Sequence, residues 1–270
     1  MIKEKHFYPT SKNLAKVSTI EAKEVSKKAL KSEFELISEK LGRLQELIFA
    51  ESKHKVLIIL QGLDTSGKDG TVKHVFAAIN PQGLRVVSFK RPTDIEVRHD
   101  YLWRIHKQTP ERGEMVIFNR SHYEDLIVPL VHKTLPLKQV KERISDVNAF
   151  EKMLVREGVT ILKFFLHISR KEQASRLRER IDDPEKHWKF ELSDLAERRH
   201  WHDYQKAYGE VIQETHHTDR PWFIVPGDDK NLRNLIISSI LLERLEKLNP
   251  VLPAFDQKTL AKIKKELKHI

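Results

Sequence analysis

The chain alternates between short unbroken apolar runs and longer segments whose apolar positions recur every three or four residues. "KVLIIL" (55–60), "LRVVSFK" (84–90), "GEMVIFN" (113–119), "VTILKFFLHIS" (159–169) and "WFIVP" (222–226) are runs of strand length. "KVLIIL" is too apolar throughout to have one wet face, which predicts a strand buried on both faces. Residues 21–50 carry apolar positions at roughly helical spacing through "LKSEFELISEKLGRLQELIFA", and "TVKHVFAAIN" (71–80) reads as a short helix ended by Asn80-Pro81. "RPTDIEVRHDYLWRIHKQTP" (91–110) reads as one helix, opened by Thr93 with Glu96 three residues later and closed before Pro110. "HYEDLIV" begins a helix or loop, a further helix lies around 148–157, and "LRNLIISSILLERLEKL" (232–248) is a C-terminal helix. Strands alternating with helices predict an α/β fold, a parallel sheet with helices on both faces.

Two segments depart from this alternation. Residues 1–20 are polar and basic without a clear period, which predicts a loosely attached arm. Residues 170–208 are helical but too rich in charge to be core, which predicts a protruding helical pair or lid. With no repeat or Ser/Gly linker, residues 1–270 read as a single domain.

Composition narrows the chemistry. A chain of 270 residues, 39% hydrophobic, can bury one sizeable core. Its formal charge of +10 points to a polyanionic partner: nucleic acid, an anionic membrane, or a phosphate-rich small molecule or polymer. The absence of cysteine excludes a disulfide framework, a thiolate metal site and a thiolate nucleophile. The 14 histidines show no ligand spacing, and His200, His202, His216 and His217 read as surface or core residues. No apolar run is long enough to span a bilayer and the first residues form no signal core, so a soluble, cytoplasmic protein is expected.

The run 62–68, "GLDTSGK", follows a buried strand and precedes a helix. Gly62 and Gly67 relax the turn, successive N–H groups can face phosphate oxygens, and Lys68 adds a mobile positive charge. Asp69 stands where a phosphate loop usually carries Ser or Thr, and reads as a helix cap or as lying outside the inner shell. A carboxylate in such a loop repels phosphate unless a cation lies between, so Asp64 reads as a magnesium ligand, as a base toward an attacking oxygen, or as a turn cap. Arg120, at the end of the third strand, suits a phosphate or a structural salt bridge. Glu124 and Asp125 suit a metal shell, an acceptor contact or a solvated helix start. Lys90 and Arg91 end the second strand on the same sheet edge. In the lid Arg176 and Arg180 share a helical face while Arg178 lies elsewhere, and Lys186 and Lys189 flank Trp188. Together these cations could follow a long polyanion, or pair with neighbours such as Glu179 on an exposed helix.

"GLDTSGKDG", "FKRPT", "HDYLWRIHKQTPERGEMVIFNRSHYED" and "PWFIVPGDDK", in that order, resemble the polyphosphate kinase 2 family over roughly residues 30–245. The resemblance implies a P-loop kinase-like fold, similar to thymidylate kinase, with a helical lid and magnesium-dependent phosphoryl transfer between inorganic polyphosphate and nucleotides. It implies Asp64 as the magnesium or catalytic carboxylate, with Lys68, Arg120 and Arg180 holding polyphosphate. The full expected polyphosphate site is Gly67, Lys68, Arg120, Arg176, Arg178 and Arg180, and the expected nucleotide site Lys90, Arg91 and Glu124. Many family members carry Asp where this chain has Asn119, so their metal arrangement does not transfer whole. "NRSHYED" with Glu124 resembles the subgroup associated with AMP as well as ADP. The expected partners are polyphosphate and AMP, ADP or ATP, with guanine nucleotides as further acceptors, in a homo-oligomer. An ATP-dependent nucleoside monophosphate kinase and a non-catalytic polyanion- or RNA-binding module are the competing readings, the latter with Trp188 and Trp201 as base-stacking residues.

Overall fold

The computed structural model describes residues 3–20 and 26–269. In chain order its elements are α1 (Lys27–Glu51), β1 (Lys55–Gln61), α2 (Lys68–Val75), β2 (Leu84–Ser88), α3 (Asp94–Val97), α4 (Trp103–His106), β3 (Met115–Asn119), α5 (Glu124–His132) and α6 (Leu137–Arg156). These are followed by β4 (Val159–His167), α7 (Arg170–Asp182), α8 (Leu192–Arg199), α9 (Trp201–Thr215), β5 (Trp222–Pro226), α10 (Lys230–Glu246) and α11 (Gln257–Glu266). The first helix was expected to start at residue 21, and residues 21–25 lie outside the described ones.

The five strands form one parallel sheet in the order β2-β3-β1-β4-β5. Side chains alternate across it, so Leu57 and Ile59 face one apolar layer while Val56, Ile58 and Leu60 face the other. The first layer is closed by α5, α6 and α9, the second by α1, α2 and α10. Leu60 pairs with Asn119 and Asn119 with Ser88, so β1, β3 and β2 end level. The loops after these three strands, carrying Asp64, Lys90 and Arg120, therefore open on one edge.

Several expectations are corrected. Residues 91–110 are not one helix: α3 keeps the Thr93–Glu96 capping box, but it buries no side chain, and the Asp100 carboxylate accepts from the Leu102 amide at 3.0 Å in a turn before α4. With nothing buried along α3, no packing repays its extension into a longer helix. The phosphate-loop helix starts at Lys68 rather than 71, and α6 starts well before 148. The arm is not loosely attached, since Phe7 and Leu14 are buried and Arg244 donates to Glu4 at 2.6 Å. The exposed lid ends near His200, because Trp201 and Tyr208 of α9 are in the core. That removes Trp201 as a stacking platform, whereas Trp188 is 78% exposed with the Lys189 ammonium over its ring.

Candidate active site

The turn after β1 folds as a phosphate loop because its two glycines take backbone conformations closed to other residues, Gly62 at φ +150° and Gly67 at φ +100°. Gly67 then caps α2, so the amides of its first turn open toward the loop. Lys68 is buried and curls back, donating to the Gly62 carbonyl at 2.7 Å and to the Leu63 carbonyl at 3.3 Å. Burial, and then the neighbouring Arg120 charge, lower its pKa to about 8.

Arg120 sits one residue past β3 in a left-handed conformation, φ +62°, with its amide bonded to the Leu60 carbonyl. This unusual backbone turns the side chain across the end of β1, where it donates to Asp64 at 2.6 Å. Burial alone would lower the Arg120 pKa, but the Glu124 and Asp64 carboxylates more than reverse this and keep it charged. Burial raises the Glu124 pKa, against the Arg120 and Lys68 charges. Asn119 donates to Asp69 at 2.7 Å, so the residue that replaces the loop hydroxyl is joined to the one that replaces the strand-end acid.

Two cavities meet here. The first, about 780 Å³, is lined by Asp64, Gly67, Lys68, Asp69, Lys90, Arg91, Arg120, Arg176 and, from the lid, Glu179, Arg180, Lys186, Lys189, Glu191 and Asp194, with Lys230 at the start of α10. Nine Lys and Arg face five Asp and Glu, which suits a polyanion. The second, about 370 Å³, is bounded by Leu63, Glu124, Val128, His132, Glu197, Tyr204 and Tyr208. Asp64, Arg91, Arg120, Glu191 and Asp194 belong to both.

Not every expected residue reaches the cavities in the same way. Lys90 lines only the first, Glu124 only the second, and Arg91 both. Arg180 lines the first, tied to the Lys189 carbonyl at 2.9 Å and Asp194 at 3.3 Å. Arg178, also expected at the polyphosphate site, is exposed and lines neither cavity; it is spaced off the Arg176–Arg180 face of α7. Arg176 borders the first cavity, but its guanidinium donates to Glu172 and to the carbonyls of Thr65, Ser66, Gly227 and Asp228. Its five N–H groups thus have five acceptors, two of them carbonyls of the loop. Asp125 lines neither cavity and accepts from Arg104 at 3.2 Å, which donates in turn to the Lys90 carbonyl at 2.9 Å. Sequence reasoning missed Arg104, and also Arg233, which donates to the Ser66 carbonyl behind the loop.

Asp64 and Asp69 are the cavity acids that could take part in holding a metal. Asp64 and Asp69 each have one carboxylate oxygen in a hydrogen bond and, among the described residues, the other accepts none. No group of three or more His, Cys, Asp or Glu side chains among the described residues could hold a metal unaided. One or two carboxylates completed by phosphate oxygens and water are what magnesium takes.

A family model described as polyphosphate kinase 2 matches residues 24–252. The chain is 49% identical over 225 residues to an AMP/ADP-polyphosphate phosphotransferase of Meiothermus ruber, covering 83% of this chain and 84% of that protein. It is 42% identical over 227 residues to an ADP-polyphosphate phosphotransferase of Rhodopseudomonas palustris, covering 80% and 78% respectively. Its fold is similar to the crystal structure of polyphosphate kinase 2 from Arthrobacter aurescens, with a TM-score of 0.89, 36% identity, and coverage of 96% of this chain and 98% of that one.

Proposed function

Because this chain belongs to the polyphosphate kinase 2 family, we propose that it moves phosphoryl groups between inorganic polyphosphate and AMP or ADP, with polyphosphate in the basic cavity and the nucleotide in the second. The observation that carries this assignment is the shared wall: Asp64, Arg91 and Arg120 border both cavities, so a donor and an acceptor can meet there end to end. Leu63, Val128, Tyr204 and Tyr208 give the second cavity apolar and aromatic surface for a base.

In this reading an acceptor phosphate oxygen attacks the terminal phosphorus of polyphosphate. One P–O bond forms as the bond to the next phosphate breaks, and the polymer leaves one unit shorter with the bonding electron pair. Such a transfer asks for alignment and charge neutralisation rather than a covalent nucleophile. Lys68 leaves its carbonyl acceptors to meet the transferring group, and Arg120 spans donor and acceptor. Asp64 and Asp69 would hold magnesium, which would supply neutralisation of phosphate charge. Asp64 also keeps Arg120 in place through their 2.6 Å contact. Glu124 sits beside the acceptor rather than in the metal shell, since it lines the second cavity alone.

Guanine nucleotides as further acceptors, a homo-oligomeric assembly and a cytoplasmic location complete the proposal. No helix among the described residues is long and apolar enough to cross a membrane. The test supplies the purified protein with magnesium and polyphosphate, offers AMP, ADP, GMP and GDP separately, and follows products by chromatography. ADP from AMP and ATP from ADP are expected; no nucleotide product from any acceptor would sink the assignment.

A further inference from the structure

Arg233, in the first turns of α10, is 2% exposed, yet among the described residues its guanidinium donates only to neutral oxygens. These are the Ser66 carbonyl at 3.3 Å and the Asn234 amide oxygen at 3.2 and 2.8 Å. Asp229 is the acid whose charge acts on it, and that carboxylate caps α10 by accepting from the Asn231 and Leu232 amides. Burial, and then the Arg176 charge, lower the Arg233 pKa to about 10. Arg176 has Glu172 at 2.7 Å; among the described residues, Arg233 has no ion pair.

A buried charge without a partner is costly, and a second cation beside it adds to the cost. The position of Arg233 suggests what offsets it. It does not line the cavity itself, but a Cβ on Gly67 would come within 2.1 Å of its Nη1, and one on Gly70 within 3.8 Å of its Nη2. Both glycines do line the cavity. The guanidinium is therefore pressed against the rear of the loop, one glycine away from the anion site. With Arg176 it also binds loop carbonyls, which leaves loop amides for the ligand side.

We propose that Arg233, backed by Arg176, is a positioning residue for the phosphate loop, a buried positive charge whose counter-charge is the polyphosphate held on the other face of Gly67. It offsets the two carboxylates that this loop carries, Asp64 and Asp69, without touching the ligand. The inference rests on the reading of the first cavity as the polyphosphate site.

Titration calorimetry with tripolyphosphate, without nucleotide, tests it on the full chain together with Arg233→Met and Arg233→Gln. Thermal midpoints are measured with and without tripolyphosphate, and KM for the nucleotide is measured separately. Both variants are expected to bind tripolyphosphate about tenfold more weakly. The ligand-free midpoint is expected to hold or rise, since a buried unpaired charge has been removed, while the ligand-induced rise shrinks. Nucleotide KM should stay within about twofold of the parent value. Arg233→Gln keeps an N–H for Ser66; if it binds as the parent does, the hydrogen bond matters rather than the charge, and the proposal fails. It fails equally if Arg233→Met keeps parental affinity, or if both variants unfold or lose stability and nucleotide binding together. A parent protein that does not bind tripolyphosphate would overturn the polyphosphate site itself, and this inference with it.

Discussion

At the scale of single residues, Asp69 and Asn119 account for the irregular phosphate loop. Around such loops a hydroxyl on the loop and an acid at the end of a neighbouring strand usually share the metal. Here the loop carries the acid and the strand the neutral amide, and the two are bonded at 2.7 Å. In the proposed metal site the carboxylate thus lies one hydrogen bond from its usual place, with the charge unchanged. Asp69→Asn is therefore expected to raise the magnesium concentration for half-maximal rate about tenfold, and Asp69→Asn with Asn119→Asp to recover most of it, read from initial rates across a magnesium titration. An unchanged magnesium requirement in the single variant would place Asp69 outside the shell. Lys68 gives a pH prediction. Burial lowers its pKa to about 8 in the free protein, and in the proposed mechanism the ammonium is the form that meets phosphate. kcat/KM for polyphosphate should accordingly be flat below pH about 8 and fall above it, while kcat, read with phosphate bound, holds to higher pH. An identical alkaline limb in Lys68→Arg would assign that limb to another group.

At the scale of elements, the segment from β3 into α5 presents Arg120 and Glu124, and its rigidity comes from below. Glu151 of α6, fully buried, accepts from Tyr123 at 2.7 Å and Lys163 of β4 at 2.5 Å, with the His122 ring at 3.3 Å. Burial alone would raise the Glu151 carboxyl, but Lys163 and His122 more than reverse it and hold it at about 2. The folded value lies below the ordinary 4.5, so this stabilisation is present above pH 4.5 and is lost as pH falls toward 2. Glu151→Gln should cost about 3–5 kcal/mol in denaturant unfolding at neutral pH and remove that part of the acid slope. A loss below about 1 kcal/mol would mean that the pair does not brace the segment. Elements were legible in proportion to how continuously they are buried. All five apolar runs became strands, and "WFIVP" matches β5 to the residue. The early half of α6 was hidden because only Val140, Ile144 and Val147 mark its buried stripe among charged neighbours. Asp64, Lys68 and Arg120 were legible because backbone order, a strand followed by a glycine turn or a strand end, places them. Arg104 and Arg233 were not, because their burial is made by neighbours distant in sequence, and in a sequence a buried arginine looks like a surface one.

At the scale of the whole molecule, the N-terminal segment ties together parts that the sheet alone leaves independent. Glu4 is bonded to Arg244 of α10, Phe7 and Leu14 enter opposite apolar layers, and the Leu14 and Val17 carbonyls meet the His167 ring at the end of β4. The strand of chain at Lys12 crosses α9 so closely that a Cβ on Gly209 would lie 1.8 Å from the Lys12 carbonyl oxygen. Thr19 then donates to Asp228, whose other carboxylate oxygen accepts from the amide of Ser169, the cap of the first lid helix. The segment is thus a strap that ends at the root of the lid. Deleting residues 1–19 should lower unfolding free energy by about 3 kcal/mol or more, from the burial of Phe7 and Leu14 alone. It should also raise KM for polyphosphate more than KM for nucleotide, because Asp228 loses Thr19 at the root of α7, the helix that gives Arg176, Glu179 and Arg180 to the first cavity and Gln173 to the second. Gly209→Ala, which denies the strap its path, should move both quantities in the same direction by less. If the deletion lowers stability but shifts both KM values equally, the segment supports the fold without reaching the lid; if it changes neither, the strap carries no load at all.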